Sequence, residues 1–137
     1  MSNRKLRAGI IGLGVGQAHA KGYINSPHSE LVAICDLNET RLHEWGEKWN
    51  VEAQYTNYMT MLHEAKLDIV SVSLPNAAHA EVSISALKGG VHVLCEKPMA
   101  INVAEAEAMV ASAKTSQRHL MVSYNYRYRS DSQWMRH

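Results

Sequence analysis

Five short apolar runs punctuate the chain: Leu6–Ile11, Leu31–Cys35, Leu67–Val72, Val91–Cys95 and Leu120–Ser123. Each is four to six residues long and rich in Val, Ile or Leu. Unbroken apolar runs of this length suit strands buried on both faces, as in a parallel sheet. A weaker strand is expected near Ala53–Tyr55. Longer amphipathic stretches lie between the runs. Gln17–Asn25 follows the first. Glu39–Trp49 follows the second, with Leu42, Trp45 and Trp49 at helical spacing. Tyr58–His63 reads as one short helix. Ala77–Lys88 carries Ala78, Val82 and Leu87 near one stripe and stops at Gly89-Gly90, a helix C-terminal signal. Val103–Lys114 places Val103, Ala106 and Val110 on one face. Alternating strand and helix predict an α/β fold, a doubly wound parallel sheet with right-handed crossovers.

The first strand runs directly into Gly12-Leu-Gly14-Val15-Gly16-Gln17, which opens the first helix. A helix N-terminus offers unpaired N–H groups and a positive dipole end, the chemistry a pyrophosphate needs. Gly12 permits the tight turn, and Gly14 lets the backbone approach the phosphate. The usual spacing puts a third glycine at position 17, where this chain has Gln17. Either the loop is one residue shorter, or Gly16 and Ala18 share the close-packing role. The pattern is that of a dinucleotide-binding Rossmann fold.

Asp36 closes the second run, about twenty residues beyond Gly14, where a carboxylate accepts hydrogen bonds from the adenosine ribose. It also repels a 2′-phosphate. Leu37 follows in place of a small polar residue, which favours NAD. Arg41, one helical turn on, keeps NADP open. A purely structural alternative is that Asp36 caps the Glu39 helix, a job Asn38 can do instead. Leu74-Pro75-Asn76 with His79 follows the fourth strand, and Glu96-Lys97-Pro98 the fifth. Both lie at strand C-termini, where open parallel sheets bind ligands. A lysine over a nicotinamide can hydrogen-bond a substrate hydroxyl and relay protons. Glu96 is placed to fix its position, and Pro98 is a candidate for a cis bond.

Composition narrows the reading. The 137 residues suffice for one domain, 46% are hydrophobic and 20% charged, and the net charge is +1. No electrostatic footprint for nucleic acid or an acidic membrane is visible. No run approaches the length of a membrane span, and the basic start lacks a signal-peptide core. A cytoplasmic location is expected. Asn38-Glu-Thr matches a glycosylation pattern but is read as a helix cap. Cys35 and Cys95 are read as buried small hydrophobes, with a disulfide or metal pair as the alternative. The eight histidines are scattered and form no metal-ligand spacing, so no metal is expected. Trp45 and Trp49 are read as packing. The tail Tyr124–Arg129 alternates aromatic and basic residues like a strand lining the cleft. RNA stacking is the alternative.

These motifs together resemble the glucose-fructose oxidoreductase / inositol dehydrogenase family (Gfo/Idh/MocA). The resemblance spans the chain: Gly9-Ile-Ile-Gly12-Leu-Gly14 with His19-Ala20, Asp36, Pro75-Asn76 with His79, Gly90-Val-His92-Val93, Glu96-Lys97-Pro98, and Tyr124-Asn125-Tyr-Arg127-Tyr. It implies a Rossmann domain followed by an α/β domain with an open antiparallel sheet. It implies that Lys97 stands close to nicotinamide and substrate. Asn76 and His79 would line the cofactor cleft, and Asn125 and Arg127 its far end. Leu74 departs from the threonine usual before Pro-Asn. The family's Asp-x-x-x-His pair belongs to the second domain and has no match here. Residues 1–123 are therefore expected to be the cofactor domain of a longer enzyme, and 124–137 the start of the connection to an absent second domain. The whole protein is expected to oxidise a hydroxyl of a sugar, polyol or similar small molecule, and to be a homo-oligomer; this piece alone is expected to be nearly inactive. The alternative is a nucleotide-sensing protein without chemistry. Such a sensor has no need of Glu96-Lys97-Pro98, which is intact here.

Overall fold

The computed structural model describes residues 4–135; the first residues of the basic start and the end of the 124–137 stretch lie outside the described residues. Six parallel strands form one sheet: β1 (Leu6–Ile11), β2 (Ser29–Cys35), β3 (Ala53–Tyr55), β4 (Ile69–Val72), β5 (His92–Cys95) and β6 (Leu120–Val122). Their order is β3-β2-β1-β4-β5-β6. The winding therefore reverses between β1 and β4, the switch point at which such sheets bind ligands.

The strands lack polar alternation because both faces are covered. Ile10 and Ile34 pack with Leu13, Ala20, Leu42 and Val51 under α1 (Gln17–Asn25) and α2 (Glu39–Trp49). Ile11, Ala33, Val70, Val72 and Val93 meet Met61, Leu87 and Met109 from α3 (Tyr58–Glu64), α4 (His79–Lys88) and α5 (Val103–Ser116) on the opposite face. Asn38, Asn57 and Asn102 accept first-turn N–H groups of α2, α3 and α5, so each of these helices starts on an asparagine cap. Asn38, not Asp36, caps α2. Trp45 and Trp49 stack with centroids 4.5 Å apart and close one core. Cys35 and Cys95 are free and buried; burial pushes their thiols up to about 12 and about 11.

Three sequence expectations are corrected. β4 starts at Ile69 rather than Leu67. Lys66 takes a left-handed conformation (φ 50°), and the Asp68 carboxylate is drawn to the Arg4 guanidinium and the Arg7 N–H, so the pairing with β1 begins at Ile69 opposite Ala8. In α5 the stripe Val103–Val110 faces outward, 74% and 41% exposed, while Met109 is fully buried. The helix carries apolar residues on two stripes, and packing against α4 selects the Met109 stripe. The aromatic and basic tail is not a strand. Asn125–Tyr128 is a 3₁₀ turn, followed by the short helix α6 (Ser130–Trp134). Alternation makes a strand only where a neighbour pairs with it. Here Arg127 and Arg129 donate their N–H groups three residues back and their guanidinium groups lie over Tyr128 and Tyr126.

At the N-terminal edge of the sheet, the His119 N–H donates to His92 Nδ1 at 2.9 Å, and the two rings stack. Burial, with His119 and Arg118 nearby, holds His92 below its ordinary 6.5. The unfolded chain then takes up this proton first. Stability is full above about pH 6.5 and falls as pH drops through the lowered native value. Urea midpoints measured from about pH 7.5 down to about pH 5 will show this loss, and His92→Asn, which retains an acceptor, will flatten it.

Candidate functional site

Because all six strands are parallel, every loop after a strand emerges on one edge. The β1–α1 loop comes first. Gly12 has φ +92°, and a Cβ there would run into the Ser73 carbonyl. Its N–H donates to the Cys35 carbonyl at 2.8 Å. Gly16 caps α1, and a Cβ on it would strike the Gly12 carbonyl oxygen and Ile10 Cγ2. Ala18 is exposed. The displaced third glycine is thus resolved: Gly16 alone lets α1 lie against β1. Gly14 is different. A Cβ there meets only the Arg41 guanidinium, at 4.0 Å. Nothing in the protein fold requires glycine at 14.

Asp36 is 9% exposed and braces this loop. Its Oδ2 accepts the Leu13 N–H at 2.9 Å and its Oδ1 the Asn38 N–H at 2.8 Å. Arg41 Nη1 stands 3.3 Å from Oδ2. A carboxylate has about four acceptor positions, so capacity remains for a further donor. Gly12, Gly14, Val15, Asp36, Leu37, Leu74 and Pro75 line one cleft of about 390 Å³, with Arg41 and Ser73. Gln17 opens the helix beside it.

This cleft fits an anionic dinucleotide on three counts. The N–H groups of Gly14, Val15 and Gly16 have no protein acceptor among the described residues. The first turn of α1 carries no acidic side chain. The Ser73 hydroxyl, buried at the cleft wall, has no protein partner. Ser71, within β4, and Ser73, just past its end, are buried polar groups that the sequence pattern alone does not single out.

The loops after β4 and β5 are tied together. Asn76 is exposed at the start of a 3₁₀ turn. His79 is corrected: it does not line the cleft but is 1% exposed beneath it. Its ring nitrogens lie 2.7 Å from the Leu74 and Pro98 carbonyl oxygens, so it joins the two motifs from below. The Lys97–Pro98 bond is cis. Lys97 is exposed and lines a second hollow with Tyr124, Asn125, Tyr126 and Arg127.

Glu96 does not pair with the Lys97 ammonium. Its Oε1 is 2.8 Å from His19 Nε2, and its Oε2 accepts the Lys97 backbone N–H at 3.1 Å. Burial raises the Glu96 carboxyl, but these hydrogen bonds outweigh it and hold the group below its ordinary value. The described residues contain no group of three metal-ligating side chains and no helix long and apolar enough to cross a membrane.

Residues 6–124 match the family model described as "Oxidoreductase family, NAD-binding Rossmann fold" (GFO_IDH_MocA). The chain belongs to the Gfo/Idh/MocA family. It is similar to D-glucoside 3-dehydrogenase of Escherichia coli K12, with 34% identity across 99% of this chain and 39% of that protein. The crystal structure of myo-inositol 2-dehydrogenase from Lactobacillus plantarum superposes with a TM-score of 0.90 at 31% identity, covering 96% of this chain and 40% of the other. The WlbA dehydrogenase of Bordetella pertussis, solved in complex with NADH and UDP-GlcNAcA, gives 0.91 at 26% identity, over 96% and 40%. The chain thus spans about two fifths of these Gfo/Idh/MocA relatives.

The geometry separates the glycines by experiment. Gly16→Ala is expected to cost about 1–3 kcal/mol by overpacking against backbone. Gly14→Ala is expected to change stability by less than about 0.5 kcal/mol. Chemical denaturation of the two variants checks this contrast.

Proposed function

We propose that the chain is the cofactor half of an NAD-linked dehydrogenase that oxidises a hydroxyl of a sugar, polyol or related small molecule. The observation that carries this is the exposed Lys97 ammonium, without an ion-pair partner among the described residues, on the same strand C-terminal edge as a loop whose Gly14 the fold itself does not need. Residues 1–123 form the cofactor domain, and 124–137 begin the connection to a second domain. The D-glucoside and inositol dehydrogenases among its relatives support this substrate class.

Gly12, Gly14, Val15, Gly16 and Gln17 receive the pyrophosphate on backbone N–H groups. Asp36, with Leu37 beside it, takes the adenosine ribose. Leu74, Pro75 and Asn76 wall the cleft. Glu96, Lys97, Asn125 and Arg127 surround the nicotinamide end. When bound, the cofactor supplies the hydride acceptor. Lys97 donates a hydrogen bond to the substrate hydroxyl oxygen and stabilises the developing alkoxide, while the hydroxyl proton leaves to an acceptor of the second domain. A nucleotide sensor without chemistry has no use for this lysine. The whole protein acts in the cytoplasm as a homo-oligomer on a small molecule, without nucleic acid or membrane.

NAD is expected to bind more tightly than NADP, because the Asp36 carboxylate would repel a 2′-phosphate. Arg41 already offsets part of that charge. Calorimetric titration is expected to give a clear preference for NAD, and Asp36→Ala to narrow it. Gly14→Val is expected to abolish binding while circular dichroism stays native. Equal affinity for both cofactors would contradict the role given to Asp36.

Turnover needs the reacting carbon clamped against nicotinamide, an orientation worth roughly 7–11 kcal/mol. Residues 1–137 alone are therefore expected to bind cofactor without measurable oxidation of sugars or inositols. The full-length protein is expected to reduce NAD with one of them and to lose that activity in Lys97→Ala. NAD reduction followed by absorbance checks both. Substantial Lys97-dependent turnover by the 137-residue chain would refute the need for a second domain.

A further inference from the structure

A line of hydrogen bonds runs under the Lys97 loop. His19 lies in the first turn of α1, directly behind the phosphate loop. Its Nε2 is 2.8 Å from Glu96 Oε1, and its Nδ1 is 2.9 Å from Ser71 Oγ in β4. The Tyr23 hydroxyl, one further turn along α1, is 2.8 Å from the same Ser71 oxygen. The side chains of His19 and Glu96 are only 7% and 15% exposed.

The direction of the line follows from the chemistry of its end. An ionised Glu96 only accepts, so His19 Nε2 carries the hydrogen. Nδ1 of a neutral ring then accepts from the Ser71 hydroxyl. Ser71 in turn accepts from Tyr23. One orientation satisfies every group, with none left over.

We propose that His19 is a positioning residue that couples the pyrophosphate-binding helix to the Lys97 loop by holding the Glu96 carboxylate beneath it. This rests on the cofactor reading above and deepens it. A free Glu96 next to Lys97 in sequence would be the natural partner for its ammonium. Held by His19, Glu96 instead fixes the Lys97 backbone N–H and leaves the ammonium to face substrate. The same contact ties α1, whose N-terminus receives phosphate, to the loop at the nicotinamide end. The adenosine end, built around Asp36, has no part in the line.

That asymmetry gives the test. NADH and ADP-ribose are titrated by calorimetry into the chain and into two variants. In His19→Asn the shorter amide stays near Ser71 but falls short of Glu96. In His19→Gln the longer amide reaches Glu96 and restores a donor. His19→Asn is expected to weaken NADH roughly tenfold, the effect of losing one hydrogen bond to a charged group, and to leave ADP-ribose essentially unchanged. His19→Gln is expected to recover most of the NADH affinity. A parallel loss of both ligands, or no loss of either, overturns the coupling.

A second measurement needs no cofactor. Titration of the Glu96 side-chain carboxyl, followed by carbon-13 NMR, is expected to move up in His19→Asn and back down in His19→Gln. An unmoved carboxyl refutes the His19 contact whatever binds. If the unsubstituted chain binds neither ligand, the cofactor reading fails, and the carboxyl titration still decides whether His19 positions Glu96.

Discussion

Six strands running the same way place every loop that follows a strand on one edge, and the rest of the molecule depends on this. The parallel ladder demands helical crossovers, so both faces are covered and the strands become apolar throughout. Polar chemistry is then concentrated at the strand ends. Gly12, Asp36, Ser73 and Glu96 each stand just past the last residue of their strands. Residues far apart in sequence are gathered at the edge where the winding reverses.

The close approach of α1 to β1 sharpens that edge. Gly16 lets the helix sit on Ile10, Gly12 makes the turn, and Asp36 takes the Leu13 N–H that the turn would otherwise leave unpaired. The N–H groups of the following residues are left free, and Gly14 keeps space in front of them. Two glycines therefore serve the fold, and the third is not required by it.

Beneath the site, buried histidines act as struts. His79 holds the Leu74 and Pro98 carbonyls, and His19 holds Glu96. Both lie in the first turn of a helix that follows a loop at the strand C-terminal edge. A rigid element thus fixes each flexible one. The exposed groups, Lys97 and Asn76, then project from backbone that cannot easily shift.

The sequence by itself determined the order of strands and helices, because unbroken apolar runs admit few burial patterns. It also marked the phosphate loop and the Glu96-Lys97-Pro98 turn, since glycine and proline restrict backbone geometry locally. It could not say which apolar stripe of α5 faces inward. Met109 and Val110 are equally suited, and only the neighbouring α4 distinguishes them. Nor could it reject a strand at Tyr124–Arg129, because a strand is defined by a partner. His79 and His19 read as cleft residues or motif members. Their hydrogen-bond partners, from Leu74 and Pro98 to Ser71 and Glu96, come from other segments, and only packing brings them within reach. Local backbone constraints are written in the sequence; the pairing of polar groups is decided where distant segments meet in the folded protein.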